Sequence, residues 1–165
     1  CKYLKSKGIK RLFSHQSKGV KYLMEDKKNI ILTTSTSSGK SLVYMLPILQ
    51  SCLESSNSTA LMIFPTKALA QDQLKYLEEI FANVFTGAHS CSCSIGTYDG
   101  DTDFKNRESV RKKNRVILTN PDMLNCSILP CHRQWASFLS NLKYQTPYFL
   151  CFGHANLQNS HLLLP

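Results

Sequence analysis

Residues 29–41 read NIILTTSTSSGKS, and the fold turns on how that stretch is taken. The apolar run at 29–34 has the composition of a short strand, and Gly39-Lys40-Ser41 closes the pattern of a phosphate-binding loop that opens a helix. In such a loop successive backbone N–H groups face an anion, reinforced by the dipole of the following helix. Lys40 would neutralise the outer phosphates and the Ser41 hydroxyl would bind Mg2+. The glycine usual at the start of the loop is Thr34 here, while Ser35, Thr36, Ser37 and Ser38 lie between it and Gly39. These side chains are small, so ordinary backbone angles accommodate them; Ser37 would be strained only where φ must be positive. The expectation is a nucleotide-phosphate site over residues 34–41, weakened by the missing glycine but retained.

Working outward, SLVYMLPILQSCL (41–53) is apolar enough for a helix covered on most sides, with Pro47 predicting a bend. The polar 54–59 reads as a turn and ALMIF (60–64) as a strand, which completes a strand-helix-strand unit. Leu69, Ala70, Leu74, Leu77, Ile80, Phe81 and Val84 fall at helical spacing across 67–85, with Asp72, Lys75, Glu78 and Glu79 off that face. SCSIGTY (92–98) and RVILT (115–119) read as strands, and RQWASFLSNL (133–142) as a helix with Trp135, Phe138, Leu139 and Leu142 on one side. Upstream, 15–26 reads as a helix capped by Ser14, with Val20, Leu23 and Met24 together. Alternating strands and helices predict an α/β fold with a parallel, doubly wound sheet.

Composition narrows the chemistry. The 165 residues are 42% hydrophobic and 19% charged, ordinary for one globular domain. No apolar run reaches the roughly 18 to 20 residues of a membrane span, and the chain opens on Cys1 rather than Met, so it reads as a fragment with no membrane role. Seven cysteines without a CxxC pair argue against a disulfide framework and common zinc spacings; reduced thiols are expected, and Cys126, Cys131 and His132, the tightest group and the alternative metal ligands, read first as idle thiols on a helical segment. The formal charge is +9, with nine Lys or Arg among residues 1–28 and a second cluster of Lys105, Arg107, Arg111, Lys112, Lys113 and Arg115. Such clusters suit a polyanion, although a cluster like the second is more often a solvated helix face than a binding surface.

The loop is joined, in order, by LFSHQ (12–16), FPTKALAQDQL (64–74), YDGDT (98–102) and TNPDML (119–124). This ordered set resembles the first ATPase lobe of superfamily 2 helicases, the DEAD/DEAH-box group. The string ILPCHRQWASFLSNLKY (128–144) is similar to one in the Hrq-type, RecQ-related branch. The resemblance spans 9–144 and implies a partial RecA-like lobe with ATP and Mg2+ as cofactors. Gln16 then matches the residue that reads the adenine edge, and Thr36, Gly39, Lys40 and Ser41 match motif I. Pro65, Thr66 and Lys67 match motif Ia, and Thr119, Asn120, Pro121 and Asp122 match motif Ib. Both motifs grip the backbone of a nucleic-acid strand, DNA in preference to RNA. A eukaryotic member would be nuclear, any other intracellular.

One element of the pattern is missing. Hydrolysis needs an Asp-Glu pair at the end of an apolar strand to hold Mg2+ through its water shell. The helicases carry it soon after the LKY stretch, whereas here Tyr144 is followed by QTPYFLCFGHANLQNSHLLLP, and the last acid of the sequence is Asp122. Asp122 follows Pro121 beyond its strand, and Asp99, Asp101 and Asp103 sit in a loop, so none fits the role. Residues 145–165 thus read as an apolar tail, of alternative or misread coding origin, appended to the lobe segment 1–144; YFLCF (148–152) could still form a strand. The expected function is a helicase fragment that binds ATP and nucleic-acid backbone without turnover. A non-catalytic nucleic-acid-binding fragment and a different P-loop NTPase are the alternatives.

Overall fold

The computed structural model describes residues 4, 5, 7–35, 38–85 and 93–147. They fall into two compact units, one ending at Leu49 and one covering Gln50–Phe149.

In the first unit, helix α1 (Ser14–Met24) begins one residue earlier than its serine suggested, with Phe13 rather than Ser14 at the cap. The reason is Gln16, whose Oε1 accepts the Phe13 N–H at 2.9 Å and so satisfies a donor that the first turn leaves open. Helix α2 (Ser41–Glu54) opens directly after the loop and contains Pro47; its residues from Gln50 on belong to the second unit. Gly19 of α1 is buried, and a Cβ there would lie 2.5 Å from Val43 Cγ1, so the two helices meet through the glycine.

Residues 29–34, expected as a strand, run as irregular chain instead. Half-buried Ile30, Leu32 and Thr34 alternate with exposed Asn29, Ile31 and Thr33, so the period of a strand is present while its ladder is not. Pairing comes from a neighbour rather than from the run itself. The resemblance calls for a further apolar strand after the LKY stretch, and its candidate, YFLCF at 148–152, lies outside the described residues.

The second unit holds a parallel sheet in the order β2-β3-β1-β4, formed by β1 (Thr59–Ile63), β2 (Ile95–Thr97), β3 (Val116–Thr119) and β4 (Leu142–Pro147). β1 and β3 are buried along their whole length, the signature of strands covered on both faces. Leu61, Ile63 and Ile117 pack with Tyr98, Met123, Ile128, Trp135 and Phe138 in one core cluster. Alternate residues of the same strands point the other way. Helix α3 (Lys67–Val84) packs on β2 and β3, burying Ala70, Leu77, Ile80 and Phe81 and leaving Asp72, Lys75, Glu78 and Glu79 exposed, as the spacing required.

Helix α4 (Phe104–Lys113) starts at Asp103, whose side chain accepts from the Lys105 N–H at 3.2 Å, and ends in Arg111, Lys112 and Lys113, which suit the negative helix terminus. Three arginines of the basic cluster are held by the fold itself. Arg107 lies 5.8 Å from the centre of the Tyr98 ring and Arg111 lies 5.9 Å from that of Trp135, one helical turn apart. Arg115 donates to the carbonyls of Cys52 (3.2 Å), Ser55 and Ser58 (3.1 Å), closing acceptors at the end of α2. Lys105, Lys112 and Lys113 remain exposed.

After β3 the chain forms α5 (Pro121–Met123), a π turn (Leu124–Ile128), a 3-10 turn (His132–Trp135) and α6 (Ala136–Ser140). The single helix expected over 133–142 is therefore shorter, and Leu142 instead begins β4. Asn141 O accepts from Thr59 N at 3.0 Å, so the backbone there turns toward β1 rather than continuing the helix. Trp135 meets Tyr98 and Phe138 edge to face, at 4.8 and 5.6 Å between centres. Cys52, Cys93, Cys126 and Cys131 are thiols, and among the described residues no group of three His, Cys, Asp or Glu could hold a metal. The possible strand at 148–152 lies outside the described residues.

Candidate functional site

The loop at 34–41 is shaped from both of its ends. Gly39 has φ +73°, a value that other residues adopt only with strain, and it precedes the first turn of α2. A Cβ at Gly39 would lie 2.5 Å from Gln16 Nε2, which itself donates to the Gly39 carbonyl at 2.9 Å. His15 Nε2 lies 3.1 Å from the Ser38 carbonyl, and the hydroxyls of Thr34 and Ser38 bond at 2.6 Å. The last pair shows what Thr34 does in place of glycine: its hydroxyl ties the start of the loop to its end.

Lys40 turns back over the loop, donating to the carbonyls of Thr34 at 2.8 Å and Ser35 at 2.5 Å. The ammonium therefore stands inside the loop, where an anion would meet it. Ser41 is the first residue of α2 and half-buried; Thr36 and Ser37 lie outside the described residues. Gln16 is only 2% exposed, yet among the described residues its amide keeps one N–H and one acceptor lone pair beyond its bonds to Gly39 and Phe13.

In the second unit, Pro65 is half-buried, Thr66 and Lys67 are exposed, and Thr66 caps α3 by accepting from the Leu69 N–H at 3.3 Å. Thr119 and Asn120 are buried with their side chains committed: Thr119 Oγ1 donates to Tyr98 O at 2.7 Å, and Asn120 Oδ1 accepts from Met123 N at 2.8 Å. Of motif Ib, Pro121 and Asp122 are exposed, and Asp122 sits in the first turn of α5. Asp122 is thus placed to complement a helix N-terminus, a different position from the end of a strand.

Sequence reasoning placed Asp99 and Asp101 of YDGDT in a loop, refused them the metal-holding role and gave them no other, although the Asp-Gly-Asp-Thr order is itself a turn signal. Asp99 is 5% exposed, and its Oδ1 accepts from Asp101 N (3.0 Å), Thr102 N (3.1 Å) and Thr102 Oγ1 (3.3 Å). The turn so built brings the Asp101 carboxylate to 2.8 Å from Lys67 Nζ.

Residues 13–145 match the DEAD/DEAH box helicase family. The chain belongs to that family. It is 45% identical over 138 residues to the ATP-dependent helicase hrq1 of Schizosaccharomyces pombe, covering 84% of this chain and 13% of that protein. To the uncharacterised ATP-dependent helicase YprA of Bacillus subtilis it is 44% identical over 141 residues, covering 86% and 18%. Among solved structures, the DUF1998 helicase MrfA bound to DNA and AMPPNP matches with TM-score 0.80 and 43% identity, over 86% of this chain and 19% of that one. The parallel sheet with flanking helices is thus the RecA-like helicase fold, and the chain spans less than a fifth of the length of these relatives.

Proposed function

We propose that this chain is the N-terminal part of the first ATP-binding lobe of an ATP-dependent DNA helicase, nuclear in a eukaryote, and that by itself it binds ATP without splitting it. The observation that carries the reading is the loop: positive-φ Gly39 at the mouth of α2, with the Lys40 ammonium resting on the carbonyls of Thr34 and Ser35. Phosphate oxygens would take Lys40 from those carbonyls and meet the N–H groups that open α2, beside Thr34, Ser35 and Ser38. Ser41 is the hydroxyl available to Mg2+, which when bound would screen the phosphate charge. Pro65, Thr66 and Lys67 with Thr119 to Asp122 would grip the backbone of a strand. Thr119 Oγ1 donates to Tyr98 O and Asn120 Oδ1 accepts from the Met123 N–H, and Pro121 has no N–H, so the backbone donor that motif Ib would offer a strand at α5 is the Asp122 N–H. DNA as the strand is inferred from the DNA-bound MrfA. Residues 145–165, with no acid, leave hydrolysis without its metal-holding pair.

Gln16 gives a test that separates adenine reading from loop support. If its remaining N–H and lone pair read the adenine edge, Gln16→Ala lowers the preference for ATP over GTP by about tenfold, whereas loosening of the loop weakens both nucleotides alike. Competition of ATP and GTP against a fluorescent ATP analogue measures the ratio. An unchanged ratio assigns Gln16 to the loop alone.

A further inference from the structure

The proposed function assigns no role to the YDGDT turn, which is built closely around one lysine. Asp99 is buried and organises the turn through three hydrogen bonds, while Tyr98 anchors it in the core and bonds to Ser127 at 2.9 Å. Gly100 leaves room for a side chain to pass: a Cβ there would stand 3.2 Å from Lys67 Nζ. Asp101 meets that ammonium at 2.8 Å, although both side chains are largely in solvent, at 45% and 79% exposure. The pairing raises the Lys67 pKa above its ordinary value, first through the hydrogen bond that Lys67 donates to Asp101 and then, against desolvation, through the charges of Asp101 and Asp99.

We propose that Asp101 is a built-in counter-ion for Lys67, a positioning residue that sets both the affinity and the salt dependence of backbone-phosphate binding at the start of α3. The inference rests on the motif Ia reading above. A carboxylate and a phosphate offer the ammonium the same contact, an anionic oxygen at hydrogen-bond distance. While Asp101 holds Lys67 the pair is neutral, so an arriving phosphate must displace the carboxylate and gains less than from an unpaired cation. Lys67 consequently contributes less than a full charge to counterion release. The turn keeps the ammonium extended and ready, and limits how tightly the strand is held at that point, as a site that must release its strand requires.

The test is Asp101→Asn, which keeps the shape of the side chain and removes its charge at an exposed position. Binding of the 165-residue chain to fluorescein-labelled oligothymidylate is followed by anisotropy across a salt series. The expected result is about threefold tighter binding at low salt, the scale of an exposed ion pair. The slope of log K against log salt should steepen by about 0.7, the value for one more single-strand phosphate contact. Both changes should vanish in the Lys67→Ala background. If Lys67→Ala weakens binding while Asp101→Asn leaves affinity and slope unchanged or weakens binding, the counter-ion role is wrong and the motif Ia reading stands. If Lys67→Ala binds as the unaltered chain does, the motif Ia reading of Lys67 fails and the counter-ion role fails with it.

Discussion

Lys40→Ala should weaken ATP binding by on the order of a hundredfold, since the variant loses charge-assisted hydrogen bonds to the outer phosphates. The structure supplies the reason for so large an effect. The ammonium stands over the loop on the carbonyls of Thr34 and Ser35, and no other Lys or Arg occurs between Lys28 and Lys67. Its removal also leaves those two carbonyls without their donor, which adds disorder to the loop that the nucleotide must then reverse. Lys40→Arg is a useful companion, because the planar fork does not reproduce the compact ammonium and should recover only part of the affinity. Titration with a fluorescent ATP analogue in the presence of Mg2+ reads both variants, and a loss of less than threefold for Lys40→Ala would contradict the loop assignment.

The second large effect concerns stability. Trp135 is 1% exposed in the core cluster, perpendicular to the rings of Tyr98 and Phe138 and with Arg111 over its own ring. Trp135→Ala should cost about 3 to 5 kcal/mol, a large part of the usual stability of a domain. Trp135→Phe should cost much less, about 1.5 kcal/mol, since it keeps an aromatic edge and the indole Nε1–H meets no acceptor among the described residues. Urea unfolding of the three proteins measures the order. Equal losses in both variants would mean that ring packing is not what holds this cluster.

The parts that local pattern specifies were legible in advance. The face of α3 could be read from Leu77, Ile80 and Phe81 at steps of three and four, and β1 and β3 from unbroken apolar runs. Elements whose state depends on a distant partner could not. Residues 29–34 carry a strand pattern without a ladder, and β4 includes Gln145, Thr146 and Pro147, which nothing local marks as strand; β4 exists because β1 offers it an edge. The loop lysine and positive-φ glycine were visible as Gly39-Lys40, whereas the Asp101 to Lys67 pair joins residues separated by 34 positions and emerges only from the fold. The same holds for Arg107, Arg111 and Arg115, which composition placed in a surface cluster and the structure spends on aromatic faces and helix carbonyls.

Phosphate release from ATP by the 165-residue chain, with Mg2+ and single-stranded DNA both saturating, tests most directly the claim that this polypeptide holds a nucleotide it does not split. The loop can bind phosphates and polarise them, but no carboxylate follows Asp122 to organise the metal and the attacking water. Release should be no faster than that of the Lys40→Ala variant, under conditions where the unaltered chain binds the nucleotide. Release that is faster and depends on Lys40 would contradict the claim.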